Sequence, residues 1–130
     1  MKLADTCVWI EVILGSATGK LLEPVLLDKS NLLVPSLVQF ELRRWALREY
    51  AESKADDILL ATRDGNVVSA GEGVALLAAK LAPTHQLHAL DALIYATALL
   101  HDADLVTCDA HFKGLPGVSY HPKETSKTKR

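Results

Sequence analysis

The sequence lacks a long apolar run and a strong excess of charge of one sign, and it contains few cysteines. No segment approaches the roughly 18 consecutive apolar residues of a membrane-spanning helix. An acid, Asp5, stands where a secretory signal peptide would carry its apolar segment, so we expect a cytoplasmic protein that does not enter a membrane. The two cysteines, Cys7 and Cys108, are too distant for a CxxC motif, and in a reducing cytoplasm we expect both to remain thiols.

The composition fits one compact domain. The chain has 130 residues, of which 49% are hydrophobic and 23% are charged, as is typical of globular proteins. We expect one domain over residues 1–122 and a basic, polar tail over residues 123–130, which we interpret as a solvated terminus. The net charge of −2 gives no overall attraction to nucleic acid, so RNA binding would depend on local basic patches or on bound cations.

Short apolar segments alternate with longer segments of helical periodicity along the whole chain. The predicted strands are residues 3–4, 31–34, 67–68, 105–107 and 117–120. The predicted helices are residues 7–14, 18–27, 37–53, 54–62, 74–81 and 87–100, with Pro83 expected to end the fifth of them. This alternation predicts an α/β fold, a three-layer α/β/α sandwich around a mostly parallel central sheet.

Four acids are expected at the same edge of this sheet. In a parallel sheet with right-handed crossovers, the carboxyl ends of the strands and the amino ends of the helices share one edge, where ligands usually bind. Asp5 ends the first strand, and Asp109 follows the fourth. Asp91 lies near the start of the helix before that strand, and Glu41 lies about two turns into the helix after the second strand. The topology therefore predicts that all four carboxylates face one cleft.

A cluster of carboxylates must take up protons or cations to offset the repulsion between its charges. Two such charges about 4 Å apart repel by about 4 kcal/mol at an effective dielectric near 20. Because carboxylate oxygens are hard ligands, they favour Mg²⁺ or Mn²⁺, and the natural chemistry of such ions is phosphodiester hydrolysis. Two hydroxyls beside the acids, those of Thr6 and Thr107, are candidates for orienting the ligands through hydrogen bonds.

Each acid also has a purely structural explanation. Asp5 is a favoured residue for capping the helix that follows it, and Asp109 is a common turn residue. Glu41 lies three residues before Arg44, at the spacing of a helical ion pair, and could also reach Arg48. Asp91 stands in so apolar a segment that it needs a partner or a capping role. From the residues alone, these alternatives stay open beside the metal site.

The sequence around the four acids resembles that of one known family, the PIN domains, and within it the VapC-type toxins of prokaryotic toxin-antitoxin pairs. Four segments carry the resemblance, and their order and spacing extend over nearly the whole chain: residues 5–10 (DTCVWI), 35–42 (PSLVQFEL), 90–98 (LDALIYATA) and 105–112 (LVTCDAHF). None of them is specific by itself, because an Asp after a short strand is common in α/β proteins. Their combination in this order makes the resemblance specific.

The resemblance implies a fold, an activity and partners. It implies a PIN-like fold and an endoribonuclease that depends on Mg²⁺, or alternatively on Mn²⁺. It also implies RNA as the substrate, inhibition by a cognate antitoxin protein, and a homodimer. The acids that would bind the metal and serve catalysis are Asp5, Glu41, Asp91 and Asp109.

Other functional classes agree less well with the sequence. A phospho-receiver domain needs an Asp after its third strand, where this chain has Ser69, and a haloacid-dehalogenase-like phosphatase needs an Asp where Cys7 stands. Residues 15–20 resemble a phosphate-binding loop but have one residue too few and no Ser or Thr for Mg²⁺. The histidines are too dispersed for a zinc site, although His111 lies close to Asp109. A non-catalytic PIN scaffold stays the main alternative, but the presence of all four acids favours catalysis.

Overall fold

Five short parallel strands form one sheet at the centre of the molecule. In this computed structural model, which describes residues 1–124, the order of the strands across the sheet is β3-β2-β1-β4-β5, and every neighbouring pair is parallel. The strands are β1 (Lys2–Ala4), β2 (Leu32–Pro35), β3 (Asn66–Val68), β4 (Asp104–Thr107) and β5 (Val118–Tyr120). The order places β1 between β2 and β4, so the carboxyl ends of these three strands are adjacent.

Within residues 1–124, six α-helices flank the sheet and complete the predicted three-layer α/β architecture, which is confirmed. The prediction of a mostly parallel sheet is met in full, since all four strand pairs are parallel. The helices are α1 (Thr6–Leu14), α2 (Ala17–Leu27), α3 (Ser36–Glu49), α4 (Glu52–Thr62), α5 (Glu72–His85) and α6 (Ala89–Leu100). Short 3₁₀ turns at Lys29–Asn31 and Ala110–Phe112 precede β2 and follow β4.

The central strands are nearly continuous apolar segments because helices cover both of their faces. All of β2 is buried, as are Leu3 and Ala4 of β1 and residues 105–107 of β4. On α6, Ile94 and Tyr95 are each 1% exposed or less and pack into the same core. This buried centre fixes the position of the residues that follow β1 and β4.

Two predicted helix ends are wrong. Helix α5 continues past Pro83 to His85, because Pro83 lies in the last turn and its missing N–H removes only one helical hydrogen bond there. Helix α3 ends at Glu49, four residues before the predicted end, because the chain becomes extended at Tyr50, whose ring packs edge-on against Trp45 at 5.6 Å.

The predicted boundary between the domain and its tail stays a prediction. Of the proposed tail, residues 123–130, only Lys123 and Glu124 are described, and both are exposed. The other tail residues, 125–130, lie outside the described part of the chain. Over residues 1–124, none of the helices has both the length and the apolar character required to cross a bilayer.

Candidate active site

The four sequence-predicted acids line one cavity at the carboxyl edge of the sheet. Its volume is about 210 Å³, and its walls are formed by Asp5, Thr6, Cys7, Ile10, Glu41, Asp91 and Asp109. Two cavities of similar size, about 230 and 200 Å³, are lined mainly by apolar side chains and contain none of these four acids. The structure therefore brings together carboxylates that are as much as 104 residues apart in the sequence, from Asp5 to Asp109.

Asp5 is held in place on both carboxylate oxygens. It is only 5% exposed, at the end of β1. One oxygen, Oδ1, accepts a hydrogen bond from the backbone N–H of Thr6 at 2.9 Å, and the other, Oδ2, accepts one from the Thr107 hydroxyl at 2.8 Å. Asp5 thus caps α1, as the structural explanation predicts, and lines the cavity as well.

Burial is the main cause that raises the pKa of Asp5, from 3.8 to about 6. The hydrogen bonds from Thr107 and Thr6 oppose this shift, because they stabilise the ionised carboxylate. The negative charges of Asp91 and Glu41 add to the shift. The carboxylates therefore interact electrostatically, and a bound cation would relieve their repulsion.

Glu41 is oriented by a hydroxyl on another helix. The Thr6 hydroxyl of α1 donates a hydrogen bond of 2.6 Å to Glu41 Oε1 on α3. Among the residues of the described chain, no ion pair joins Glu41 to an arginine. Arg44 instead places its guanidinium 5.3 Å from the ring centre of Phe40. Within residues 1–124, Glu41 therefore does not form the ion pair with Arg44 that its structural explanation requires.

The Thr107 hydroxyl connects two acids that follow different strands. Besides donating to Asp5, it accepts a hydrogen bond from the backbone N–H of Asp109 at 3.0 Å. Thr107 is completely buried at the end of β4. One side chain therefore fixes the relative positions of the chain after β1 and the chain after β4.

Asp91 lies in the first turn of α6 and is partly buried. Desolvation raises the pKa of its carboxyl, the charges of Asp109 and Glu41 raise it further, and His111 and His88 oppose the shift. Within residues 1–124 its carboxylate accepts no hydrogen bond from the protein. Of the four acids, Asp91 therefore has the fewest hydrogen bonds to its carboxylate within the described residues.

A histidine that the predicted ligand set does not contain lies beside Asp109. Asp109 Oδ1 accepts a hydrogen bond from the backbone N–H of His111 at 2.9 Å and lies 2.7 Å from His111 Nδ1. Asp91, Asp109 and His111 each provide one possible ligand atom, and these three atoms lie within 4.8 Å of one another. The only sequence signal for this contact is the position of His111 two residues after Asp109.

The two cysteines meet beside the acidic cavity, whose wall includes Cys7. Cys7 Sγ accepts a hydrogen bond from the backbone N–H of Cys108 at 3.1 Å and lies 3.6 Å from Asp5 Oδ2. Both are free thiols. Hydrogen bonding with Cys108, followed by burial and the charge of Asp5, raises the pKa of the Cys7 thiol strongly. Sequence reasoning missed this contact, since 101 residues separate the two cysteines.

Comparison with protein-family models identifies the fold that carries this cavity. The model of the PIN domain matches residues 2–118, a segment that includes all four acids. The chain belongs to the PIN-domain family. No match is found among curated protein sequences.

Solved structures with this PIN fold are similar over almost their whole length. A toxin-antitoxin complex from Klebsiella pneumoniae has a TM-score of 0.78 at 24% identity and covers 92% of this chain and 96% of its own. VapBC2 from Rickettsia felis, bound to a DNA fragment from their promoter, has a TM-score of 0.72 at 15% identity over 95% and 98%. FitAcB from Neisseria gonorrhoeae has a TM-score of 0.64 at 23% identity over 85% and 89%. At these identities the likeness establishes the PIN fold alone.

The donor set of this PIN domain fits a divalent cation. The cavity contains four carboxylates, and the charges of its other acids help to raise the pKa of Asp5 and of Asp91. Oxygen ligands of this kind suit Mg²⁺ and Mn²⁺. The two threonines hold Asp5 and Glu41 through hydrogen bonds, as the groups around a metal ligand commonly do. Asp91 keeps its oxygens open toward the cavity.

Proposed function

We propose that this PIN domain is a metal-dependent endoribonuclease, the toxin of a toxin-antitoxin pair. The observation that carries the proposal is the convergence of Asp5, Glu41, Asp91 and Asp109 on one cavity at the carboxyl edge of the sheet. Membership of the PIN-domain family adds support, as does the fold that the chain has in common with VapBC2. The substrate that we assign is RNA, and the cation is Mg²⁺ or Mn²⁺.

The four acids would hold the cation, each from a different segment of the chain. When bound, the cation supplies an activated water molecule and stabilises the charge that develops on the phosphate during hydrolysis. Asp5 and Glu41 are positioned in advance, because Thr107 and Thr6 donate hydrogen bonds to them. Little conformational freedom is then lost when these two residues bind.

The remaining two acids would complete the site. Asp109 is fixed through its backbone N–H by Thr107 and through its carboxylate by His111. The Asp91 carboxylate accepts no hydrogen bond from residues 1–124, so it is available to bind the cation or to orient a water molecule. We assign the proton uptake of the cation-free site to Asp5 and Asp91, whose pKa values are raised.

The proposed partners are an antitoxin protein and a second copy of the chain. One of the structures with the same fold is described as a toxin-antitoxin complex, and this supports an antitoxin here. Large apolar side chains that are exposed on the surface, among them Phe40 and Leu76, provide area for protein contacts. The homodimer and the cytoplasmic location implied by the sequence are part of this proposal.

Cleavage of a mixed pool of structured RNA by the purified protein tests the proposal. We expect cleavage with Mg²⁺ or Mn²⁺, none in EDTA, and recovery when the cation is restored. Asp5→Asn should abolish cleavage, because it removes a charge from the cavity at nearly constant volume. Asp57→Asn is the matched control, since Asp57 is exposed on α4, and it should cleave like the wild type.

The non-catalytic scaffold predicts a different result in this assay. A folded, antitoxin-free protein that leaves the RNA pool intact with both cations would favour that alternative. Cleavage that persists in EDTA or in the folded Asp5→Asn variant would overturn the metal-dependent nuclease. Circular dichroism spectra of the wild type and both variants provide the check on folding.

A further inference from the structure

The histidine beside the acidic cavity has the position and chemistry of a metal ligand. His111 lies in the 3₁₀ turn that follows β4, directly after Asp109 and Ala110. Its side chain is 60% exposed, so burial in the core does not fix it toward the acids. Its Nδ1 nevertheless lies 2.7 Å from Asp109 Oδ1. The ring is thus directed at a carboxylate that we assign to the cation.

The distances among three side chains suit a common cation. Two adjacent ligand atoms about 2.1 Å from one octahedral cation lie about 3 Å apart. The Nδ1 of His111 and Oδ1 of Asp109 are 2.7 Å apart, close to this separation. Asp91, Asp109 and His111 can also each offer one ligand atom such that the three atoms lie within 4.8 Å of one another. An imidazole nitrogen is therefore present where only oxygen ligands were expected.

A second histidine limits the orientation of this ring. His88, the residue before α6, has its ring centre 5.9 Å from that of His111, with an angle of 71° between the ring planes. Both histidines lie close enough to Asp91 for their charges to act on its carboxyl. The imidazole of His111 therefore has the ring of His88 and the carboxylates of Asp109 and Asp91 as neighbours.

We infer that His111 is a further ligand of the cation held by the acids, and that its nitrogen makes the site favour Mn²⁺ over Mg²⁺. The inference rests on the proposed function, because it assumes the cation site. Mg²⁺ binds nitrogen ligands poorly, whereas Mn²⁺, a softer transition-metal ion, accepts an imidazole nitrogen more readily. A site with one nitrogen and several carboxylate oxygens should therefore bind Mn²⁺ more tightly than Mg²⁺. A site made of carboxylates alone discriminates only weakly between these two ions.

The competing explanation is that His111 only forms an ion pair with Asp109. In that case the ring neutralises part of the acidic cavity and never contacts the cation. The two explanations differ in a property that does not require RNA cleavage, the presence of a nitrogen nucleus directly bonded to Mn²⁺. Pulsed electron paramagnetic resonance of the Mn²⁺-loaded full chain detects that nitrogen through its hyperfine coupling.

The experiment compares the wild type with three variants. We expect the wild type to show the coupling of a directly bound nitrogen and His111→Ala to lack it. In His111→Ala, the affinity for Mn²⁺ should be lowered about tenfold and the affinity for Mg²⁺ less than about threefold. His111→Asp should bind Mg²⁺ at least as well as His111→Ala, without the coupling. His101→Ala is the matched control, since His101 contacts the backbone oxygen of Thr97 at the end of α6, and it should keep the coupling.

Two outcomes would overturn the inference, and they differ in what they say of the proposed function. Mn²⁺ bound without a nitrogen coupling in the wild type, or with a coupling that persists in His111→Ala, would exclude His111 as a ligand but keep the cation site. A wild-type chain that binds no Mn²⁺ at all would overturn both the inference and the proposed site.

Discussion

The hydroxyl of Thr107 donates a hydrogen bond to Asp5 across the junction of β1 and β4, at a distance of 2.8 Å. The same oxygen accepts a hydrogen bond from the backbone N–H of Asp109. Both strands end at this point, so a single buried side chain sets the separation of two acids that are far apart in the sequence. Stability and metal binding should therefore both depend on Thr107.

Thr107→Val should lower the free energy of unfolding by about 1–3 kcal/mol, because it leaves the buried Asp5 carboxylate and the partly buried N–H of Asp109 without their partner. It should also raise the pKa of Asp5 further, since the hydrogen bond from Thr107 lowers it. Urea denaturation in EDTA measures the first effect. Thr107→Ser keeps the hydroxyl and should recover most of the stability. Equal losses in the two variants would show that the methyl group, rather than the hydrogen bond, matters.

Asp5 should give the cation-free protein a pH dependence of defined sign. Because the pKa is raised from 3.8 to about 6, the folded protein binds a proton that the unfolded chain has lost between these values. The stabilising contribution of protonated Asp5 is fully present below pH 3.8 and is lost as the pH rises through about 6. The free energy of unfolding should decrease by about 3 kcal/mol over this range. Unfolding in EDTA across this range should show a smaller decrease in Asp5→Asn, and identical pH profiles would contradict the assignment.

Asp91→Asn should separate stability from cation binding. Its carboxylate is partly buried, its pKa is raised by desolvation and by Asp109 and Glu41, and it accepts no hydrogen bond from residues 1–124. The neutral amide should therefore raise the Tm of the cation-free protein at pH 7 by roughly 3 °C. Added Mn²⁺ should then increase the Tm of the wild type but not of the variant. A variant that is less stable in EDTA, yet still stabilised by Mn²⁺, would contradict this role.

Thr6→Val should weaken cation binding through Glu41 alone. The substitution removes the 2.6 Å hydrogen bond to Glu41 Oε1 but keeps the shape of the side chain. We expect Mn²⁺ affinity to decrease about tenfold, as for other residues that orient a ligand. Isothermal titration calorimetry measures the affinity, and Thr6→Ser should restore it. If Thr6→Val binds Mn²⁺ as the wild type does, the orientation of Glu41 does not depend on Thr6.

Much of the fold follows from patterns that are local in the sequence. The apolar segments of β2 and β4 and the helical periodicity between them predict a parallel sheet, and its topology places Asp5 and Asp109 at one edge. The end of α3 was less predictable, because the edge-on contact of Trp45 with Tyr50 depends on tertiary packing. The predicted end of α5 before Pro83 was wrong because a proline in the last turn of a helix costs little stability.

The site itself was predictable only in part. The positions of the acids follow from which element each one ends or begins, so the sheet topology is sufficient to group them. The contact of Thr6 with Glu41 and that of His111 with Asp109 depend on side-chain rotamers and on a 3₁₀ turn. Such details have no periodicity in the sequence and are fixed only when the elements pack together.

Diffraction from crystals grown with Mn²⁺, recorded at the manganese absorption edge, tests directly whether the four acids hold a cation. We predict an anomalous peak inside the cavity within coordination distance, about 2.2 Å, of carboxylate oxygens from the four acids, Asp5, Glu41, Asp91 and Asp109. The peak should be absent from crystals of the folded Asp5→Asn variant grown in the same way. No peak in the wild-type cavity at a saturating Mn²⁺ concentration would contradict the metal site, and with it the proposed nuclease.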